Sequence, residues 1–304
     1  QLNRLSSLLR KEMHLQARYD HVTGLPNQHM FREILETTLA KGAETSFEAS
    51  LLIVYMGKQR SVIDSAGVSG INSIRKQISR RLEKVITTEH QVYRLEGDDF
   101  AVLILEPIST AQLKNIAARV VQSLLRPLEL KADQFSLSPS IGIARYPEDG
   151  GTARELTDHA YTAMHRAREH SIQRVYFFSD QMKADVYQQS RVTQELRRQD
   201  WREQLTCVYQ PQINVATGHI VGVETLIRWH HPQLGTISPA DFIPLAESEG
   251  LISPIGSWIL SQACEQGQRW QKMYNWKLRI AVNVSAIQFN SPDMLNIVRN
   301  TLAA

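Results

Sequence analysis

Cysteine is nearly missing. The 304 residues hold two, Cys207 and Cys264, with neither the density of a disulfide scaffold nor the spacing of metal ligands, so a reducing, cytoplasmic compartment is expected. An excess of one charge is missing too: 34 basic against 31 acidic residues leave +3. That is too slight and too evenly spread for a nucleic-acid footprint or a polybasic membrane patch, and no nucleic-acid partner is expected. No apolar run approaches the ~18 residues of a spanning helix, and nothing in the first residues given resembles a signal peptide. What is present is an ordinary globular mixture, 42% hydrophobic and 21% charged, which excludes a disordered or fibrous chain. At roughly 150 residues per domain the length suggests about two domains.

The chain opens on Gln1 inside a helical pattern in which Leu2, Leu5, Leu9 and Met13 recur at three- and four-residue steps. This fits a plain amphipathic helix packed on its own domain, or the tail of a signalling coiled coil from an upstream module; residues 1–19 are read as an N-terminal signalling helix. From residue 50 the pattern becomes mixed α/β. The apolar run 51–56 reads as a buried strand and 70–86 as an amphipathic helix. Strands at 91–95 and 100–105 flank Glu96-Gly97-Asp98-Asp99, where Gly97 supplies a positive φ and closes a hairpin. A helix near 111–125, an alternating strand around 135–145, a helix opened by the capping-box spacing Thr152 to Glu155, and a strand at 174–178 complete this part.

Residues 179–200 are polar, lack glycine and proline, and read as a helical linker. Beyond them, apolar strands at 205–213, 220–229 and 278–284 surround helices whose starts are marked by Ser238-Pro239 and Ser291-Pro292. That is β/α alternation after an opening hairpin.

Two places carry chemistry. The hairpin tip holds adjacent carboxylates, which suits a hard divalent cation near a phosphate, although Asp- and Gly-rich tips are also ordinary solvated turns. The second is Glu224, in an apolar strand expected to be buried on both sides, where an unpaired carboxylate costs several kcal/mol and demands a proton, a cation or a metal. Period two puts Glu224, Leu226 and Arg228 on one face. Either Glu224 and Arg228 form an ion pair, or Glu224 takes a metal while Arg228 takes a phosphate oxygen. Asn283 lies at the carboxyl end of another apolar strand, placed to coordinate a cation or to cap its own loop. Gln210 is similarly open, whereas Glu247 and Glu249 are expected to serve helix and loop structure.

Residues 20–178 resemble the GGDEF (diguanylate cyclase) domain through Asp20-His21-Val22-Thr23-Gly24-Leu25-Pro26-Asn27, Tyr93-Arg94-Leu95-Glu96-Gly97-Asp98-Asp99-Phe100 and Ser140-Ile141-Gly142-Ile143-Ala144-Arg145-Tyr146-Pro147. The resemblance implies a ferredoxin-like nucleotidyl-cyclase palm that joins two GTP molecules into cyclic di-GMP with two metal ions. The signature here reads Glu96-Gly97-Asp98-Asp99-Phe100, with Glu96 at the family's first glycine. The family's metal-binding aspartate of the first strand falls on Tyr55, its nucleotide-contacting asparagine and aspartate on Ile63 and Asn72, and its histidine on Val68. Asp98, Asp99 and Arg168 keep relevant chemistry. The inhibitory Arg-x-x-Asp site is replaced by Thr87-Thr88-Glu89-His90. A catalytically inactive cyclase fold, kept for regulation or dimerisation, is expected.

Residues 201–304 are similar to the EAL phosphodiesterase family through Tyr209-Gln210-Pro211, Gly222-Val223-Glu224-Thr225-Leu226-Ile227-Arg228-Trp229-His230-His231-Pro232, Phe242-Ile243-Pro244-Leu245-Ala246-Glu247, Gly250-Leu251-Ile252 and Val282-Asn283-Val284-Ser285. The resemblance implies a (β/α)₈ TIM-like barrel in which Glu224 and Asn283 are ligands of a Mg²⁺ or Mn²⁺ pair. Gln210 and Arg228 would contact cyclic di-GMP, and the product would be linear pGpG. A barrel needs ~250 residues against the 104 from 201 onward, so only its first part is expected. Later acidic ligands and a lysine are absent from these residues. The chain is expected to be a fragment of a longer phosphodiesterase, inactive by itself, with a homodimer formed through either domain or the N-terminal helix. Tethering of the parent to the inner membrane through an upstream region stays open. The competing expectation is a non-catalytic cyclic di-GMP receptor with both domains degenerate.

Overall fold

The computed structural model describes residues 17–42, 47–57, 60–86, 90–130, 133–169, 173–198, 200–275 and 278–303, with residues 60–66 and 68 as backbone. The expected N-terminal helix, apart from its last residues, and the Thr87–Glu89 segment lie outside them. The chain forms two compact units, divided after Ala184. Among the described residues no helix is long and apolar enough to cross a membrane.

In the first unit, β1 (Ala49–Tyr55), β2 (Gln91–Arg94), β3 (Phe100–Ile104), β6 (Ser140–Tyr146) and β7 (Val175–Phe177) form one sheet in the order β2-β3-β1-β6-β7. The pairs are antiparallel except β6–β7. A small separate hairpin joins β4 (Leu128–Leu130) to β5 (Asp133–Phe135). Period two sorts the side chains of β1: Leu52 and Val54 enter the core beneath α2 (Arg60–Val85) and α3 (Thr110–Leu125). Leu51 and Ile53 enter the core beneath α1 (Gln28–Gly42) and α4 (Ala153–Glu169). This is the expected cyclase palm.

Three expectations need correction. The strand expected over 135–145 is split between β5 and β6, and β6 is buried on both faces rather than alternating, because helices cover both sides. Helix α2 begins ten residues before the expected start; Gly67, at φ 61° and ψ −165°, breaks its pattern and hid the first part. The residues expected as a helical linker do form a helix, α5 (Asp180–Arg198), but its second half is core rather than linker, with Val192 and Leu196 buried in the second unit.

In the second unit, short α6 (Trp201–Gln204) leads into β8 (Leu205–Ile213) and β9 (Ile220–His231), an antiparallel pair. β10 (Gly235–Ile237) folds back on β9, and β11 (Arg279–Val282) runs parallel to it. Helices α7 (Pro239–Ser248) and α8 (Ile252–Tyr274) come between, and α9 (Ala286–Phe289) and α10 (Met294–Ala303) follow. Ser238 caps α7 by accepting from the Ala240 N–H, with Pro239 in the first turn. Trp229 is fully buried, packs edge-on against Phe242 at 5.3 Å and donates to Gln204 Oε1 at 2.8 Å. A side chain of that size contributes about 2–3 kcal/mol by burial.

β9 also departs from expectation. Val223, Thr225, Ile227 and Trp229 are buried, whereas Glu224, Leu226 and Arg228 are half-buried. The sheet is open and four-stranded among the described residues, and helices cover one of its faces. Glu224 therefore reaches solvent, and burial alone does not force its neutralisation.

Candidate functional sites

At the hairpin between β2 and β3, Gly97 adopts φ 66°, as the turn demands. Arg94, only 6% exposed, sits under the turn and donates to the carbonyls of Leu95 and Asp99, each at 2.7 Å, and to that of Gly97. Arg75, from α2, donates to Asp98 through two nitrogens at 2.9 and 3.1 Å. Arg94 approaches the same oxygen at 3.6 Å. Asp99 has the Tyr161 hydroxyl as its hydrogen-bonding neighbour; burial lifts its carboxyl above the usual range, Tyr161 and Arg94 pull it partly back, and Asp98 adds to the rise. Asp20 is partly buried, which raises its pKa, but hydrogen bonds from Thr23 and the Arg94 charge bring it below the usual value.

The other first-domain positions follow the same logic. Tyr55 ends β1, and the Arg168 guanidinium stacks over its ring at 4.2 Å. Asn72 accepts from Arg75 at 3.3 Å. Glu96 is exposed at the tip, and the side chains of Ile63 and Val68 lie outside the described residues. Both surviving aspartates are thus engaged by protein groups, and a cation–π pair occupies the first-strand position. Among the described residues no group of three or more His, Cys, Asp or Glu side chains is arranged to hold a metal. Sequence reading missed Arg75 and Tyr161, because each reaches the hairpin from a distant helix and no local pattern marks it.

In the second unit, register places Gln210 opposite Glu224 on one side and Ala281 opposite it on the other. Asn283, one residue past β11, donates from Nδ2 to Glu224 Oε1 at 2.8 Å, joining residues 59 apart in sequence. Its side chain does not cap its own loop. Ser285 does that, accepting from the Gln288 N–H while Gln288 answers its backbone. Arg228 donates to the Ile227 carbonyl at 2.7 Å, and among the described residues no ion pair joins it to Glu224. A cavity of about 260 Å³ opens at this end of the strands, lined by Arg228, Glu247 and Asn283 over isoleucines of α7 and α8. Gln210 is exposed on the neighbouring strand. Glu249 is tied to Arg197 of α5 by two hydrogen bonds, at 2.7 and 3.0 Å, which fits its expected loop role.

Known proteins share both units. The family profile described as "Diguanylate cyclase, GGDEF domain" matches residues 17–174, and that described as "EAL domain" matches 193–304. MucR of Pseudomonas aeruginosa, a bifunctional diguanylate cyclase/cyclic di-GMP phosphodiesterase, is 34% identical over 286 residues, covering 94% of this chain and 42% of that protein. NbdA of the same organism, a cyclic di-GMP phosphodiesterase, is 29% identical over 286 residues, 94% of this chain and 36% of NbdA. The chain spans less than half the length of either relative. Among solved structures, the GGDEF domain of TpbB (YfiN) from P. aeruginosa superposes with a TM-score of 0.53 at 26% identity, covering 56% of this chain and 99% of that one. The S helix–GGDEF–EAL part of LapD from Vibrio cholerae, bound to c-di-GMP, gives a TM-score of 0.62 at 14% identity over 98% of this chain and 69% of that one, a likeness of fold. On these matches the chain belongs to the GGDEF family, with an EAL domain in tandem behind the GGDEF domain.

Proposed function

We propose that this chain is part of a cyclic di-GMP phosphodiesterase whose GGDEF domain, residues 20–178, is catalytically silent, followed through helix α5, whose second half packs with the second unit, by the first part of the EAL barrel. The observation that carries this reading is the 2.8 Å contact between Glu224, within β9, and Asn283, one residue past the carboxyl end of the adjacent parallel strand β11. A carboxylate and an amide oxygen are hard donors of the kind Mg²⁺ and Mn²⁺ prefer, and turning the Asn283 amide over presents Oδ1 beside Glu224. Bound there, the metal pair would supply Lewis acidity toward water and the phosphodiester.

The chain's own residues do the rest. Glu224 and Asn283 provide two of the ligands. Arg228, with no ion pair to Glu224 among the described residues, is available to donate to a phosphate oxygen, and Gln210 stands opposite Glu224 on the adjacent strand as a further contact for the ligand. Cyclic di-GMP is the proposed ligand and pGpG the product. Dimerisation through either domain or the N-terminal helix, and a cytoplasmic setting for both domains, belong to the same proposal.

Silence of the GGDEF domain is supported by Arg75 on Asp98 and Arg168 on Tyr55, which place positive charge where the family places cations. The test is turnover by the full-length parent protein with Mg²⁺ or Mn²⁺. Glu224→Ala is expected to abolish conversion of cyclic di-GMP to pGpG; undiminished pGpG formation in that variant would overturn the metal assignment.

A further inference from the structure

A second cavity lies in the first unit, on the sheet face opposite α2, between α1 and α4 at the base of the hairpin. Its volume of about 400 Å³ falls among small-molecule pockets. Phe31, Leu35, Leu95 and Tyr161 form its walls. Phe31 is held by an edge contact to Tyr93 at 5.3 Å, so the aromatic wall is rigid. The rim carries Arg32 and Arg154 against Glu36 and Asp158, and these charges cancel. Arg154 already faces Asp158 at 3.7 Å. A rim without net charge offers no attraction to a phosphate-bearing ligand.

One polar group is left over. The Gln28 side chain lines the cavity, and its amide oxygen is buried without a hydrogen-bond partner. A buried acceptor without a partner loses its hydration for nothing in return, so a donor is owed to it. The terminal amide torsion is broad and soft, so a donor placed in the cavity can draw that oxygen toward it. Flat apolar walls, an uncharged mouth and one unmet acceptor define an occupant.

We propose that this cavity binds a neutral, planar heteroaromatic molecule that donates a ring N–H to Gln28 Oε1. Such an occupant touches Leu95, which precedes Glu96 of the hairpin, and Tyr161, the neighbour of Asp99. The site is made entirely of first-unit residues and stands apart from the phosphodiesterase reading.

Benzimidazole and 1-methylbenzimidazole are the probes, titrated calorimetrically into the 304-residue chain at neutral pH, since they share the ring system and differ by replacement of the N–H with N–CH₃; the Gln28→Leu variant separates the lost donor from the added methyl. Saturable binding of benzimidazole is expected, with the methylated analogue at least about tenfold weaker. Gln28→Leu should erase that difference. Thr157→Trp, which fills the cavity from the α4 side, should remove binding of both, with circular dichroism confirming the fold. No saturable binding of benzimidazole, equal affinity of the two probes in the unaltered chain, or unchanged binding in a folded Thr157→Trp variant would each refute the site. The comparison of the two probes decides the matter even where a variant fails to fold.

Discussion

Gly142 faces α4 at a distance that leaves no room for a side chain. A Cβ there would lie 2.1 Å from both the Ala160 carbonyl oxygen and the Met164 nitrogen, which are backbone atoms that move only with the helix. Gly142→Ala should therefore cost roughly 1–3 kcal/mol, the usual penalty of overpacking a tight core. It should lower the first unit's thermal midpoint; an unshifted midpoint would show that the helix gives way freely. Asp99 predicts a change of the opposite sign. Burial raises its folded pKa. A group shifted that way helps folding below its unfolded pKa and loses the contribution as pH rises through the folded value, so at neutral pH the ionised form is the cost. Asp99→Asn keeps an acceptor for Tyr161 and should raise the midpoint at neutral pH, with the gain vanishing in acid. A gain that persisted in acid would assign the effect to something other than ionisation. At this scale the sequence was a partial guide. Gly97 and Glu224 declare themselves because turn chemistry and a lone carboxylate in an apolar strand are local signals. Arg75 and Tyr161 do not, because their roles arise from contacts that only the fold creates.

Elements were legible where a periodic pattern and a boundary residue agreed, as at Ser238-Pro239 and along 205–213. They were misread where burial depends on what lies across the sheet: β6 is covered twice and β9 once, although both are apolar runs. Helix α5 shows the same limit, since its polar sequence conceals that its second half is anchored. Glu195 accepts from His231 Nε2 at 3.2 Å and is held by Arg198 at 2.9 Å. His231 Nδ1 accepts from the backbone of Gln233 and Leu234, both at 3.1 Å, which leaves the ring proton on Nε2. The imidazole thus ties α5 to the turn that follows β9, the strand bearing Glu224 and Arg228. His231→Leu strips three hydrogen bonds from a nearly buried position, a loss of roughly 2 kcal/mol. Hydrogen exchange should accelerate by more than about tenfold in residues 191–198 and 229–237. Unchanged protection in both segments would mean that apolar packing of Val192 and Leu196 holds the helix unaided.

For the whole molecule, two family folds stand in one chain, and their chemical endowments differ. The EAL part keeps oxygen donors side by side and leaves its arginine unpaired with them. In the GGDEF part Asp98 is already paired with Arg75, and Asp99 has the Tyr161 hydroxyl as its neighbour. On the proposed reading, restoring cyclase chemistry to that part needs more than one ligand. Tyr55→Asp would place a carboxylate beneath the Arg168 guanidinium, 4.2 Å from the present ring, and the new charge would pair with that arginine before it met a cation. Asp98 would remain pinned between Arg75 and Arg94. Glu96 would still project a charge at the tip, where the resemblance expects glycine and a triphosphate. With GTP and Mg²⁺ or Mn²⁺, neither the unaltered protein nor Tyr55→Asp should form cyclic di-GMP by chromatographic analysis. Asp99-dependent synthesis by either would show that the guanidinium groups yield to the metal. The second unit supplies the complementary reading: Asp99→Asn should leave pGpG formation by the full-length protein unaltered, because the proposed metal ligands all lie in the EAL part. A fall in pGpG formation in that variant would make the GGDEF domain an energetic partner of the proposed hydrolase.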